Sequence, residues 1–155
     1  MSAATEAIRT ARDFLLSQRG HGDDARAGFA WPEITGAFNW AIDWFDEIGR
    51  DRDDLALWIR DEHGADERYT YGELVERSNR LANWLEANGV GKGDTVMLML
   101  GNQVELWDAM LAVMKIGGVI LPTAQALQDY DLEDRAPRAD VKAVITNAEE
   151  EDKFH

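Results

Sequence analysis

The segment 98–123, LMLGNQVELWDAMLAVMKIGGVILPT, limits what this chain can fold into more than any other stretch. Residues 95–100 form a β-prone apolar run, and Gly101-Asn102 interrupts it. Residues 103–116 have the length and composition of a helix, and Gly117-Gly118 stops them. Residues 119–121 are a second apolar run, ended by Pro122. Two strands joined through a helix lie parallel, with a right-handed crossover. Sheets of this kind take ligands beyond the carboxyl ends of their strands. Gly101, Asn102, Thr123 and Gln125 are therefore the candidate ligand-facing residues.

The rest of the chain builds towards this unit. Residues 4–18 place Ala4, Ile8, Ala11 and Leu15 at helical spacing. Residues 20–27 are polar and read as a loop, and residues 38–48 as a second helix. Phe29, Trp31, Phe38, Trp40, Trp44 and Phe45 crowd into this part of the chain, and rings of that size are expected to be buried. Residues 51–54 are a charged turn. Residues 55–60 and 68–70 are expected to pair as an antiparallel hairpin across the turn 62–66. Thr70 and Glu73 have capping-box spacing, with Tyr69 and Leu74 at the staple positions. The helix that follows lines Leu74, Ser78, Leu81, Ala82 and Leu85 along one face and ends at Gly89 as a left-handed cap. Residues 129–136 form a short helix and 141–146 a third parallel strand. The order from Thr95 onward is β-α-β-α-β, an open α/β sheet.

Composition removes several functions. The formal net charge is −14 over 155 residues, with lysines only at 92, 115, 142 and 153. Such a chain repels nucleic-acid phosphates and anionic lipid surfaces, and its charge serves solubility. It has no cysteine, so disulfides, thiolate zinc sites and cysteine nucleophiles are excluded. No apolar stretch is long enough to span a bilayer. The start has no apolar signal core. Arg9, Arg12 and Arg19 imitate a transit peptide, but Glu6 and Asp13 oppose that reading. The expected location is cytoplasmic.

Several apparent motifs fail on context. Residues 89–94, GVGKGD, look like a phosphate loop but follow a helix and precede a strand, the reverse of what an anion cradle needs. Asp51, Asp53 and Glu62 have calcium-loop spacing, yet Leu55 and Ala56 stand where an oxygen ligand and a glycine are required. His21, His63 and His155 do not pair at ligand spacing. No GxSxG elbow is present. Asn102 is expected to cap the following helix. Thr123 and Gln125 divide evenly between turn chemistry and ligand contact. Lys115 is expected to complement its helix dipole.

Helix 103–116 is apolar almost all round, with Ala109, Met110, Leu111, Ala112, Val113, Met114 and Ile116. One sheet face covers one side only, and the acidic run 149–152 is placed to open another helix. The chain is therefore expected to be an incomplete part of a larger protein, lacking a C-terminal remainder.

Five segments in register resemble the N-terminal portion of the adenylate-forming (AMP-dependent) acyl-CoA synthetases, most closely the medium-chain branch. They are 38–49, 56–64, 69–94, 100–118 and 120–125. Residues 71–74 resemble the family's first core motif and 114–122 its second. The resemblance implies residues 1–50 as an N-terminal helical extension and 51–155 as a truncated α/β subdomain of the AMP-binding domain. It implies an enzyme that activates a fatty, medium-chain carboxylic acid with ATP and Mg²⁺ as acyl-AMP, then transfers the acyl group to coenzyme A. The family's phosphate loop, adenine segment, ribose-binding aspartate and catalytic lysine have no counterpart in these residues. No catalytic residue, metal ligand or ATP contact is carried over, and the segment alone is expected to be inactive. Gln125 matches a glutamine implicated in coenzyme A binding, and Thr123 lies beside it. Two other classes remain open: a non-catalytic α/β interaction domain docking through helix 103–116, and a small flavodoxin-like nucleotide binder. The second needs a phosphate loop after a strand, and residues 100–103 are short and poor in donors for one.

Overall fold

The computed structural model describes residues 2–60, 64 and 66–154. Glu62, His63 and Ala65 of the expected turn, and His155, lie outside the described residues. The chain divides into two compact units, Met1–Glu47 and Ile48–His155.

In the first unit, α1 spans Ala3–Ser17, and the Ser2 side chain accepts a hydrogen bond from Thr5 N at 3.1 Å. Residues expected to be a loop form a short helix instead, α2, Gly22–Gly28. Asp23 and Asp24 favour its positive N-terminal end, and none of its residues is buried. A helix without an apolar stripe shows no periodicity to read. Within the expected helix 38–48, Trp40–Asp46 winds as a π-helix and Glu47–Gly49 as α3. The Asn39 side chain starts the wide turn, accepting from Ala41 N at 3.0 Å. The buried Thr5 hydroxyl donates to the Asp43 carbonyl at 2.7 Å, joining α1 to the π-helix. The rings are not a buried cluster: Trp31 is 86% exposed and Trp40 48%. They pack on each other, Phe29 edge-on to Trp31 with centroids 5.1 Å apart, and Arg12 lies 5.2 Å over Trp44.

The second unit opens with β1, Leu55–Arg60, antiparallel to β2, Asp66–Thr70, which starts two residues before the expected strand. Helix α4, Tyr71–Ala87, carries the expected capping box: Glu73 N donates to Thr70 Oγ1 at 3.2 Å, and Thr70 N donates to Glu73 Oε2 at 2.8 Å. These bonds hold the Glu73 carboxyl below its ordinary pKa, the Thr70 amide contributing most. Gly89, at φ 82°, ends the helix; Val90 N reaches back to Leu85 O at 3.0 Å.

Strands β3 (Thr95–Met99), β4 (Val119–Pro122) and β5 (Val141–Thr146) form a parallel sheet in the order β4-β3-β5. Pro122 is tolerated because β4 is an edge. Helix α5, Val104–Lys115, links β3 to β4, and α6, Asp129–Arg138, links β4 to β5. Alternation along β3 divides the core. Val96 and Leu98 pack with Ala109, Ala112, Val113 and Leu85, while Met97 and Met99 pack with Leu132 of α6 on the opposite face. A Cβ on Gly118 would lie 2.9 Å from Val113 Cγ1 and 3.2 Å from Asp94 O, so only glycine admits this close return from α5 to β4.

Helix α6 passes two residues beyond the expected end, through Pro137. Helix α5 also departs from expectation. Helix α4 of this chain packs along it, so part of the apolar surface expected to need further protein is covered here, while Trp107 stays 40% exposed. Arg77 of α4 grips the buried Asp108 of α5 through Nε at 2.9 Å and Nη2 at 2.7 Å, and this carboxylate raises the arginine's pKa. Lys115 does more than complement a dipole: its Nζ donates to Ser78 Oγ at 2.8 Å and Asn79 Oδ1 at 2.7 Å. The acidic run 149–152 lies in a 3₁₀ segment, Ala148–Phe154, rather than an α-helix.

Candidate functional site

Because β3, β4 and β5 are parallel, their carboxyl ends reach one rim. Three loops leave it: Leu100–Gln103 after β3, Thr123–Gln128 after β4, and Asn147 after β5. Polar side chains tie these loops together. Asn147 Nδ2 donates to Gln103 Oε1 at 3.0 Å, and Gln103 Nε2 donates to Glu105 Oε2 at 3.0 Å. The Thr146 hydroxyl donates to Met99 O at 3.1 Å. Lys153 Nζ donates to the Gln125 carbonyl at 2.7 Å and pairs with Glu150.

The four residues singled out from the sequence take different positions. Gly101 and Gln125 come together: a Cβ on Gly101 would stand 3.0 Å from Gln125 Oε1, so the bare backbone there gives the glutamine amide its place. Thr123 N continues the β3–β4 ladder to Leu98 O at 2.9 Å, and its hydroxyl donates to Leu121 O at 3.3 Å. Thr123 also lines a cleft of about 380 Å³ beside α6, with Pro122, Arg135 and Arg138; Gln125 does not line it. Asn102 is exposed and is not the helix cap. Gln103 N bonds Gly101 O at 3.0 Å, and this tight turn delays α5 by one residue, leaving Gln103 at the cap position without a side-chain cap bond.

Sequence reasoning missed Gln103, Asn147 and Lys153. Gln103 follows Asn102 directly, and Asn147 directly follows a predicted strand, which is the position the rim rule selects. Lys153 carried no such signal, because its partner Gln125 is 28 residues away. The rim offers amides, hydroxyls and main-chain groups suited to hydrogen-bonding a neutral polar ligand. Among the described residues, no three His, Cys, Asp or Glu side chains converge to hold a metal ion. No helix of the described residues is long and apolar enough to cross a membrane.

A doubly covered parallel sheet with a polar rim at its strand ends defines an open α/β subdomain, a class whose ligands sit at that rim. Residues 45–155 match the family profile described as AMP-binding enzyme, and the chain belongs to that family. It is 34% identical over 118 residues to the acetyl-coenzyme A synthetase of Bacillus subtilis (strain 168), covering 74% of this chain and 20% of that protein. It is 34% identical over 117 residues to the mitochondrial acyl-coenzyme A synthetase ACSM5 of Rattus norvegicus, covering 71% and 20%. The chain thus spans about a fifth of the length of the curated relatives it matches. Among solved structures, the acyl-CoA synthetase of Brucella canis superposes with a TM-score of 0.76 at 25% identity, over 85% of this chain and 26% of that one. The benzoate CoA ligase of Burkholderia xenovorans LB400 superposes with a TM-score of 0.67 at 25% identity, over 76% and 23%.

Proposed function

We propose that this chain is the N-terminal part of an ATP-dependent acyl-CoA ligase, which activates a carboxylic acid as acyl-AMP and passes the acyl group to coenzyme A. The observation that carries this reading is the family match across residues 45–155. We assign medium-chain fatty acids as substrates. In support, one relative is named in part for that range, the medium/long-chain-fatty-acid–CoA/3-oxocholest-4-en-26-oate–CoA ligase of Mycobacterium marinum (strain ATCC BAA-535 / M), 46% identical over 56 residues, 36% of this chain and 10% of that protein. Residues 1–50 serve as a helical extension and 51–155 as part of the AMP-binding domain. The cytoplasm is the assigned location, and the −14 charge disfavours nucleic-acid partners.

Within this reading, Gln125 and Thr123 contact coenzyme A. The Gln125 amide stands at the strand-end rim, and its donor and acceptor match the amides of the coenzyme's pantetheine arm. When bound, Mg²⁺ and ATP supply the activating chemistry; no residue of this chain is assigned to either. The chain's own contribution is to hold and orient the thiol donor.

The reading is tested in the ligase that carries this segment with the continuation its relatives have. Pyrophosphate release and thioester formation are measured over a series of carboxylic acids from acetate to dodecanoate. Acid-dependent release of pyrophosphate, greatest in the medium-chain range, is expected; none with any acid removes the ligase assignment. Gln125→Ala is expected to raise the KM for coenzyme A about fivefold, the worth of one neutral hydrogen bond, while the KM for ATP holds. Equal effects on both take Gln125 out of the coenzyme A site. Residues 1–155 alone are expected to form no acyl-AMP.

A further inference from the structure

We propose that Lys153 is a positioning residue for Gln125, holding the loop after β4 so that the glutamine amide faces its ligand. This rests on the reading of Gln125 as a coenzyme A contact.

Lys153 lies near the end of the 3₁₀ segment Ala148–Phe154. The next residue, Phe154, packs against the cluster of Met97, Met99 and Leu132, which docks this end of the segment on the sheet. The Lys153 side chain is only 21% exposed. Burying an ammonium is costly unless it is paired and hydrogen-bonded. Lys153 meets both conditions: it pairs with Glu150, itself 19% exposed, and donates to the Gln125 carbonyl at 2.7 Å. Bonds from a charged donor are short and strong.

The geometry separates this role from anion binding. Glu150 pairs with the ammonium, and the Gln125 carbonyl accepts a hydrogen bond from it, so little charge is left for a phosphate. What the contact fixes is a backbone. Between β4 and α6 the hydrogen bonds among the described residues are mostly local, such as Leu127 N to Ala124 O at 3.1 Å and Gln128 Nε2 to Ala126 O at 3.1 Å. At the strand end, Thr123 N bonds Leu98 O. Two residues on, Lys153 holds the Gln125 carbonyl, and the side-chain oxygen occupies space that the missing Cβ of Gly101 leaves open. A residue whose backbone is held beside such an opening is pre-organised for binding.

The test uses the same full ligase with Lys153→Met, Lys153→Arg, Gln125→Ala and the double variant Lys153→Met/Gln125→Ala. Steady-state kinetics is joined to amide hydrogen exchange across residues 121–130. Lys153→Met is expected to raise the KM for coenzyme A about threefold, and by no more than the roughly fivefold of Gln125→Ala, because it acts through that residue. The KM for ATP and acid-dependent pyrophosphate release stay within about twofold, and exchange in 121–130 quickens. Lys153→Arg restores both readouts. The double variant is no worse than the more damaging single one, as expected of residues acting through one contact. Parallel changes in all kinetic parameters, or unaltered loop exchange, overturn the proposal in favour of a merely structural lysine. An effect of Gln125→Ala with a silent Lys153→Met sinks the Lys153 role alone. Silence of both variants, or an effect of Lys153→Met without one of Gln125→Ala, sinks the Gln125 reading and this role with it. If Lys153→Met does not fold, Lys153→Gln replaces it and is read against the same outcomes.

Discussion

The two units of this chain are held together by different means. Met1–Glu47 carries all six of the rings that looked like a core, and a seventh before them in α1 at Phe14, yet of its described residues only Thr5, Ala41 and Asp46 are buried. Its ends are tied by polar contacts, Thr5 Oγ1 to the Asp43 carbonyl and Arg12 over the Trp44 ring. Ile48–His155 has smaller aliphatic side chains and buries them fully, with Leu85, Val96, Met97, Met99, Ala109 and Val113 all at 0% exposure. Ring size therefore did not decide where the core lies. A parallel sheet with helices on both faces encloses even alanine and valine completely, whereas rings outside any sheet, several of them outside any helix, stay partly in water.

Substitutions in the two units sharpen or break this contrast. The largest effect is expected at Leu85→Ala, which empties space at the α4–α5–sheet junction. It is expected to cost about 2–5 kcal/mol, measured by chemical unfolding. A cost under about 1 kcal/mol would place the core elsewhere. Asp108→Ala comes next. It leaves the Arg77 guanidinium, 34% exposed, without its carboxylate, and the exposure limits the loss to about 1–2 kcal/mol.

Thr70→Ala removes the α4 cap and is expected to cost about 1 kcal/mol. Its partner adds a pH dependence of known sign. The folded state holds the Glu73 carboxyl below its ordinary pKa. That stabilisation is therefore complete above the unfolded glutamate range and is lost as pH falls through the folded value. Glu73→Gln should flatten this part of the acid unfolding profile, and an unchanged profile would show that the cap carries no linkage. The smallest effect belongs to the first unit. Trp31→Ala is expected to shift stability by no more than about 0.5 kcal/mol, although it deletes the largest side chain available. A loss of several kcal/mol there would erase the contrast between the units.

Much of the second unit was legible because its signals are local. The Thr70–Glu73 box, the Gly89 stop, the Gly117-Gly118 return and the order of strands and helices from Thr95 all appear where the residues implied. Membership of the AMP-binding enzymes follows the motifs in 69–94 and 100–122. The first unit was less legible: α2 has no apolar stripe, and a π-helix has no period of its own in a search tuned to helical spacing. At the rim, Gly101 and Gln125 could be picked out from strand ends, but their mutual approach could not.

Taken alone, the residues determined most strands and helices of the second unit to within about two residues at their ends, and which end of the sheet forms the polar rim. Those outcomes depend on neighbours within one or two turns, through caps, glycine returns and apolar period. Folding in three dimensions decided what covers α5, which rings stay in water, and which side chain holds Gln125. These depend on groups brought together from 28 to 37 positions apart, as in Lys153 with Gln125 and Lys115 with Ser78. No local pattern encodes such a meeting, because its free energy exists only once the sheet has brought the partners within hydrogen-bond reach.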